Sequence, residues 1–341
     1  MGSEAVVAES HQPDQESLLG IDATRHQLLA NVASMYYESE LNQNDIAEEL
    51  GISRSSVSRL LSEAREQGVV NITIRWPTST SRDLTAELSH YFPEAEVHVI
   101  QGRGHGYSQI VEMLGRLAAR LLEQKLKDNM ILGISWNTGV YQVVRAFRAA
   151  RRLGVRVIQL TGSAGVVNPL LDGPDLARWL AQMLGGQYLY LPAPLVVDST
   201  ATRDALLNDR TISERLELAA QADIALVGIG TVFPPLSSLF QIGYMNDEEL
   251  ATIATMGGVG DILTTFYDIE GHILPLEFHE RIIGLPLEKL RDIDGVIGVA
   301  AGEEKAAAII GALTAGYVDC LVTDDNAALR VLSLLNEHGA Q

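Results

Sequence analysis

The chain has 341 residues, 47% of them hydrophobic and 20% charged, with a formal charge of −19 at pH 7. That composition is globular and leaves room for a small domain and a large one. The acidic excess argues against general affinity for nucleic acid, because phosphate contacts with counterion release supply most non-specific binding. The single cysteine, Cys320, excludes an intramolecular disulfide, and no CxxC or Cys/His cluster suggests a structural zinc. No apolar run reaches the roughly 18 residues needed to span a bilayer, and the polar, acidic start has no signal-peptide pattern. The expectation is a soluble cytoplasmic protein with no membrane partner.

Residues 1–20, with Glu4, Glu9, Asp14 and Glu16 and few large apolar groups, read as a flexible tail. Residues 21–80 read as a winged helix-turn-helix DNA-binding domain. A helical pattern over Ala23–Ser39 (Leu28, Leu29, Val32, Met35, Tyr36) supplies a supporting helix. In Asn42–Gly68, Ile46, Ala47 and Leu50 share one face of a short helix, Gly51 ends it, and Ser53 caps a second helix. There Val57, Leu60, Leu61 and Ala64 fall at i, i+3, i+4 and i+7. Short hydroxyls and two arginines are left outside, a surface that fits a major groove. Gln43, Ser53, Arg54, Ser55, Ser56, Ser58 and Arg59 are the candidate contacts to double-stranded operator DNA. From Asn42 to Trp76, however, four arginines face five acidic residues. One copy should therefore bind weakly, which implies a homo-oligomer engaging several half-sites. Val70, Ile72 and Ile74 alternate as a strand of the wing should.

Pro77-Thr-Ser-Thr-Ser81 reads as the linker, and residues 81–341 as an effector domain. After a helix at Asp83–Tyr91, strands are expected at Glu96–Ile100, Met130–Ile134, Val155–Leu160, Tyr188–Leu191, Ile224–Ile229, Ile262–Phe266, Val296–Ala300 and Cys320–Thr323. Helices are expected between them, including one at about 201–221. This alternation predicts a mostly parallel, Rossmann-like α/β sheet covered on both faces.

Ligands of such sheets bind beyond the carboxyl ends of the strands. Four loops there stand out: Gly133-Ile-Ser135-Trp-Asn137-Thr138-Gly139 opening a helix, Gln159-Leu-Thr161-Gly162-Ser163, Gly257-Gly-Val-Gly-Asp261, and Ala301-Gly302-Glu-Glu-Lys305. Free N–H groups at a helix start cradle phosphate, a carboxylate suits sugar hydroxyls, and Lys305, one of only four lysines, supplies a point charge. Walker A, GxGxxG, GxSxG and HExxH motifs are absent. The histidines, His98 and His279 among them, lack metal-ligand spacing and read as surface or loop residues. Asp223, Asp261 and Asp268 read more readily as turn and cap formers than as acid/base groups.

The ordered motifs NQNDIAEELGISRSSVSRLLSEAREQGVV, GISWNTGVY, VIQLTGS, YLPAPLVVDS, DIALVGIGTV, GGVGDILTTFYD and VIGVAAGEEKAAAIIGALTAGYVDCLVTDDNAA carry a resemblance. The chain resembles the SorC family of bacterial sugar-responsive transcriptional regulators from about residue 21 to 336. The resemblance implies an effector domain similar to ribose-phosphate isomerase and glucosamine-phosphate deaminase, used for binding and not for turnover. It implies no cofactor, an effector that is a phosphorylated sugar, and dimers or tetramers that respond to it on DNA. Ser135, Asn137, Thr138 and Gly139 would hold the phosphate with Lys305 opposite, and Gln159, Thr161 and Asp261 would line the sugar. Gly162, Gly230 and Gly302 complete the candidate ligand set. Asn137 stands where the family has glycine, and Asn tolerates the left-handed conformation better than other non-glycine residues. Ala301 stands where a double glycine is common, narrowing close approach. The competing expectation is a sugar-phosphate isomerase or deaminase tethered to DNA, but the sequence shows no convincing general base paired with an acid.

Overall fold

The computed structural model describes residues 15–70, 79–165 and 172–339. The chain divides into two compact units, Met1–Trp76 and Pro77–Gln341, each taken by itself.

In the first unit, α1 (Gln15–Tyr37), α2 (Gln43–Leu50) and α3 (Arg54–Glu66) enclose a core of Leu29, Val32, Ile46, Val57, Leu60, Leu61 and Ala64. Residues 15–20, assigned to the tail from sequence, are helical: a run of helix formers follows Pro13 and lets the helix begin early. Asn42 caps α2 by accepting from Asn44 and Asp45 N–H, while the Asp45 carboxylate accepts from Asn42 N–H, so both orphan ends of the first turn are satisfied. Gly51 at φ 64° ends α2 in the left-handed region, and Ser53 caps α3 through Ser56 N–H at 3.1 Å. The expected wing lies, apart from Val70, outside the described residues.

The second unit holds a seven-stranded parallel sheet. Its strands are β1 (Glu96–Ile100), β2 (Ile131–Ile134), β3 (Arg156–Gln159), β4 (Gln187–Leu189), β5 (Ile224–Gly228), β8 (Val296–Val299) and β9 (Cys320–Asp324). A separate antiparallel hairpin joins β6 (Gly260–Ile262) to β7 (Thr265–Tyr267). Residues 79–81 add to the sheet edge, with Ser81 N–H donating to Val99 O and Gln101 N–H to Ser79 O.

Helices cover both faces. The helices α4 (Arg82–Tyr91), α9 (Arg210–Ala219), α12 (Ala306–Thr314) and α13 (Asp325–Gly339) contribute apolar side chains to one layer. The other layer takes α5 (Tyr107–Lys125), α6 (Thr138–Ala146), α7 (Gly173–Leu184), α10 (Ser238–Gln241) and α11 (Asp247–Thr255). This two-sided burial is why the strands read as continuous apolar runs.

Two expected elements differ. The strand at Ile262–Phe266 is the hairpin, whose turn residues Leu263 and Thr264 both have positive φ, 50° and 69°. A two-residue turn of that kind usually carries Asn or Gly, and without them the sequence lacks the signal that marks it. The helix at 201–221 is two helices, α8 (Thr200–Leu207) and α9, because Asp209 caps Thr211 and Ile212 N–H and restarts the chain.

The sheet order is β1-β9-β8-β5-β2-β3-β4. From β2 the chain winds one way through β3 and β4, and from β5 the other way through β8 and β9. The reversal leaves a crevice beyond the carboxyl ends of β2 and β5. Close backbone packing beside it sets a test of the fold. A Cβ on Gly162 would fall 2.2 Å from Pro194 O, so Gly162→Ala should cost about 1–3 kcal/mol through overpacking. A melting temperature equal to wild type would show that this approach is not part of the fold.

Candidate functional site

The ends of four strands, β2, β3, β5 and β8, and the hairpin build the crevice. Beyond β2, Ser135 N–H donates to Leu226 O and Ser135 Oγ accepts from Gly228 N–H at 3.3 Å, which ties the β2 and β5 ends together. Asn137 then caps α6 through Oδ1, accepting from Val140 N–H at 2.8 Å. Its backbone is fully extended, φ −180° and ψ −178°. The left-handed conformation invoked from sequence for Asn137 is therefore not adopted. An N-cap residue is extended by nature, and asparagine suits the position for its side chain.

Beyond β5, Gly230 N–H donates to Asp261 O at 2.7 Å, and a Cβ on Gly230 would sit 1.9 Å from Asp261 Oδ1. Glycine there lets the hairpin lay Asp261 directly against the end of β5. Beyond β8, Gly302 takes φ 95°, and its N–H donates to Asp324 Oδ1. A single 3-10 turn, Glu303–Lys305, then brings Lys305 inward, where Nζ donates to Ile229 O at 2.6 Å.

Two neighbouring pockets result, the first with room for about one water molecule (about 20 Å³) and the second larger, about 150 Å³. The first is walled by Ser135, Thr161, Gly230 and Asp261, the second by Thr138, Gly139 and Lys305, and Asn137 borders both. Eight of the eleven residues expected at the ligand thus line the crevice.

Gln159, Gly162 and Gly302 line neither cavity. The Gln159 amide is committed to the fold: Oε1 accepts from Tyr188 Oη and Leu191 N–H, and Nε2 donates to Thr161 O. Gly162 packs on the backbone of Pro194, and Gly302 supplies a turn. Trp136, Gly228, Ser238, Leu263 and Thr264 from one side, and Tyr107 and Gln241 from the other, also wall the crevice. Of these only Trp136 sits inside a loop singled out from sequence. The rest arrive through tertiary packing and carry no local signal.

The carboxyl and the ammonium of the crevice are both displaced from their ordinary behaviour. Burial pushes the Asp261 carboxyl up to about 6, opposed by the Lys305 ammonium and the Thr264 N–H. Burial pulls Lys305 down to about 8, opposed by Asp261 and Glu304. Shifts of this kind occur at functional sites and in structural ion pairs alike. Asp223 and Asp268 are structural, accepting from Ile131 N–H at 2.7 Å and from His272 N–H at 2.8 Å. His279 is no bystander of the surface: its Nε2 accepts from Phe266 N–H at 2.9 Å, and burial lowers it to about 4.

The fold does bring Glu96, His98 and Cys320 together on β1 and β9, which linear spacing conceals. Lys125 Nζ, 2.6 Å from Glu96 Oε2, already balances that carboxylate. In the first unit, Arg54, Ser55, Ser58 and Arg59 are exposed on α3, whereas Ser56 is half-buried and bonded to Ser53 Oγ. Gln43 is half-buried at the start of α2.

A folded carboxyl raised above its unfolded value of 3.8 contributes stability that is complete below that value and lost as pH rises through about 6. Asp261→Asn removes this dependence. Wild type should therefore lose melting temperature relative to Asp261→Asn between about pH 4 and pH 6, with a constant difference just above. A difference that stays flat across that window contradicts the burial of Asp261 as described.

Comparison with known proteins covers both units. Residues 77–333 match the Sugar-bind model of a sugar-binding domain, and residues 19–73 match a MarR family model. The deoxyribonucleoside regulator of Bacillus subtilis is 34% identical over 308 residues, 90% of this chain and 98% of that protein. The sorbitol operon regulator of Klebsiella pneumoniae is 30% identical over 303 residues, 88% of this chain and 96% of that protein. The crystal structure of the full-length sorbitol operon regulator SorC from Klebsiella pneumoniae superposes with a TM-score of 0.69 at 29% identity, covering 90% of this chain and 98% of that one. These relatives are regulators and not isomerases or deaminases. The chain belongs to the SorC family of transcriptional regulators, with a helix-turn-helix DNA-binding unit and a sugar-binding unit.

Proposed function

We propose that the crevice between β2 and β5 binds a small phosphorylated sugar and that its occupancy controls operator binding by α3. The observation that carries this reading is the convergence of Asp261 and Lys305, from two distant parts of the chain, on neighbouring walls of one crevice. The Lys305 ammonium and the opening turn of α6 suit a phosphate. The Asp261 carboxylate accepts from sugar hydroxyls. On the other unit, Gln43 opens α2, while Ser53, Arg54, Ser55, Ser56, Ser58 and Arg59 form the cap and first half of the reading helix, with Arg54 and Arg59 as its cations.

The near balance of charge in Asn42–Trp76 supports a dimer or tetramer as the binding species, since each half-site alone is weakly held. A DNA-binding unit up to Trp76 and an effector unit from Pro77 onward fit this division of labour. The single cysteine and the acidic charge suit a cytoplasmic regulator.

The two sites separate by mutation. Lys305→Met should weaken sugar-phosphate binding by about 1.5–3 kcal/mol, the worth of hydrogen bonds to a charged group, while operator binding persists. Arg54→Ala should weaken operator binding by about 1–3 kcal/mol and leave sugar-phosphate binding intact. Thermal shift with a panel of pentose and hexose phosphates, and gel shift with the upstream region of the protein's own gene, read the two effects. If Lys305→Met responds to sugar phosphates as wild type does, the crevice is not the effector site.

A further inference from the structure

The edge strand β1 carries its polar residues on one face. Val97 and Val99 pack into the helical layer that holds α12 and α13, while Glu96 and His98, two residues apart, turn toward the layer that holds α5. Parallel pairing sets Cys320 of β9 opposite Glu96, and Cys320 belongs to that second layer with Ile100 and Val322. An imidazole, a carboxylate and a thiol therefore meet, with their donor atoms within 4.8 Å of one another. His98 Nε2 lies 2.7 Å from Glu96 Oε1, and Lys125, in the last turn of α5, holds the other oxygen, Oε2, at 2.6 Å.

These are the donors of a borderline transition ion. Thiolate and imidazole select zinc and its neighbours over magnesium and calcium, which prefer oxygen. Three protein ligands are also the number that a tetrahedral zinc site with one open position uses. Ligand atoms around such an ion stand about 3.3–3.6 Å apart, so the cluster as folded needs only small side-chain rotations. Its burial is graded: Cys320 is buried, His98 half-buried and Glu96 exposed. An ion can enter from solvent at the sheet edge and meet the sulfur at the base. Two other charges lie close, Lys125 and Asp319. Asp319 accepts from Val296 N–H at 2.8 Å, which commits one of its oxygens to the fold. Lys125 engages only Oε2 and so turns Oε1 toward the other two donors, the part an outer partner plays around a metal.

We propose that Glu96 Oε1, His98 Nε2 and Cys320 Sγ form a binding site for one zinc-class divalent ion, with a water completing the tetrahedron. On binding, the His98–Glu96 hydrogen bond gives way to the ion. The imidazole keeps its proton on Nδ1 and offers the Nε2 lone pair, and the Cys320 S–H proton passes to solvent, so a thiolate reaches the metal. The ion ties the first strand of the sheet to the last. It sits where β1 and β9 begin, at the opposite rim of the parallel sheet from the crevice, and is independent of what the crevice binds.

Cys320 is the only cysteine of the chain, so a sulfur-to-metal signal reports this site alone. Reduced full-length protein without an affinity tag, titrated with cobalt chloride, should develop a thiolate-to-cobalt charge-transfer band that saturates at one ion per chain and is discharged by zinc chloride. Zinc chloride should also raise the melting temperature of wild type by several degrees, because an ion that binds only the folded chain stabilises it. Cys320→Ser should lose both the band and the zinc-dependent shift. His98→Ala should weaken cobalt binding by about tenfold or more, since even an outer partner of a metal ligand is worth that much.

Should Cys320→Ser not fold, His98→Ala, at a half-buried position of the edge strand, decides alone. Folded, reduced wild type that shows no band with cobalt in tenfold excess overturns the proposal. So does a band whose affinity is the same in His98→Ala, which would be the thiol acting without its neighbours. A zinc-dependent shift that survives Cys320→Ser and His98→Ala but is lost in His272→Ala would place the ion at the more exposed group of Asp268, Glu270 and His272, and contradicts the proposal as well.

Discussion

Two desolvated ionisable groups at the reversal of strand order set the character of this protein. Lys305 is tied to the Ile229 carbonyl and Asp261 lies against Gly230, one residue further along. Each is shifted toward its neutral form by burial and drawn back toward its charged form by the other. Such a pair is weak evidence for stability, because taking ions out of water costs as much as their attraction returns. On the proposed reading it is capacity held in reserve for a ligand that brings complementary groups. The small residues nearby serve the same end: Gly228 makes room for Asn137, and Gly230 for Asp261.

The strained turn of the hairpin belongs to this picture. Leu263 and Thr264 both hold positive φ without being glycine or asparagine, yet both are buried at the wall of the first cavity. The Thr264 N–H favours the charged form of Asp261. Backbone strain persists only where the surroundings over-determine it, and it gathers at ligand sites. The helix-turn-helix unit shows the contrary economy. Its caps and core are ordinary and its charge is acidic on balance, which fits the proposal that several copies share the operator.

Much of this was legible in the sequence. Parallel strands buried on both faces announce themselves as short apolar runs, and the loops at their carboxyl ends located Ser135, Asn137, Thr161, Asp261 and Lys305. The Asn42–Gly68 motif was legible for a similar reason, since caps and apolar spacing are local. What escaped is tertiary. Nothing local distinguishes Gln159, whose amide ties β3 to Tyr188 and Leu191, from a ligand contact. Gly162 looks like a flexible loop residue until Pro194 is placed against it. The hairpin passed for a strand because Leu263 and Thr264 are poor turn formers, and Tyr107, Ser238 and Gln241 reach the crevice only through folding. Asn137 was noticed as a departure from the family pattern, but its extended backbone and its place between two cavities required coordinates.

The central claim is a thermodynamic coupling between the crevice and the DNA-reading helix. Coupling between two ligands is reciprocal: whatever factor a sugar phosphate applies to operator affinity, the operator must apply to sugar-phosphate affinity. The most direct measurement is operator binding by fluorescence anisotropy with and without a saturating sugar phosphate, paired with calorimetric titration of that ligand with and without operator. The account predicts a change of roughly 5-fold or more, equal within error in the two directions. Operator affinity that is unmoved by a ligand shown to fill the crevice would contradict it.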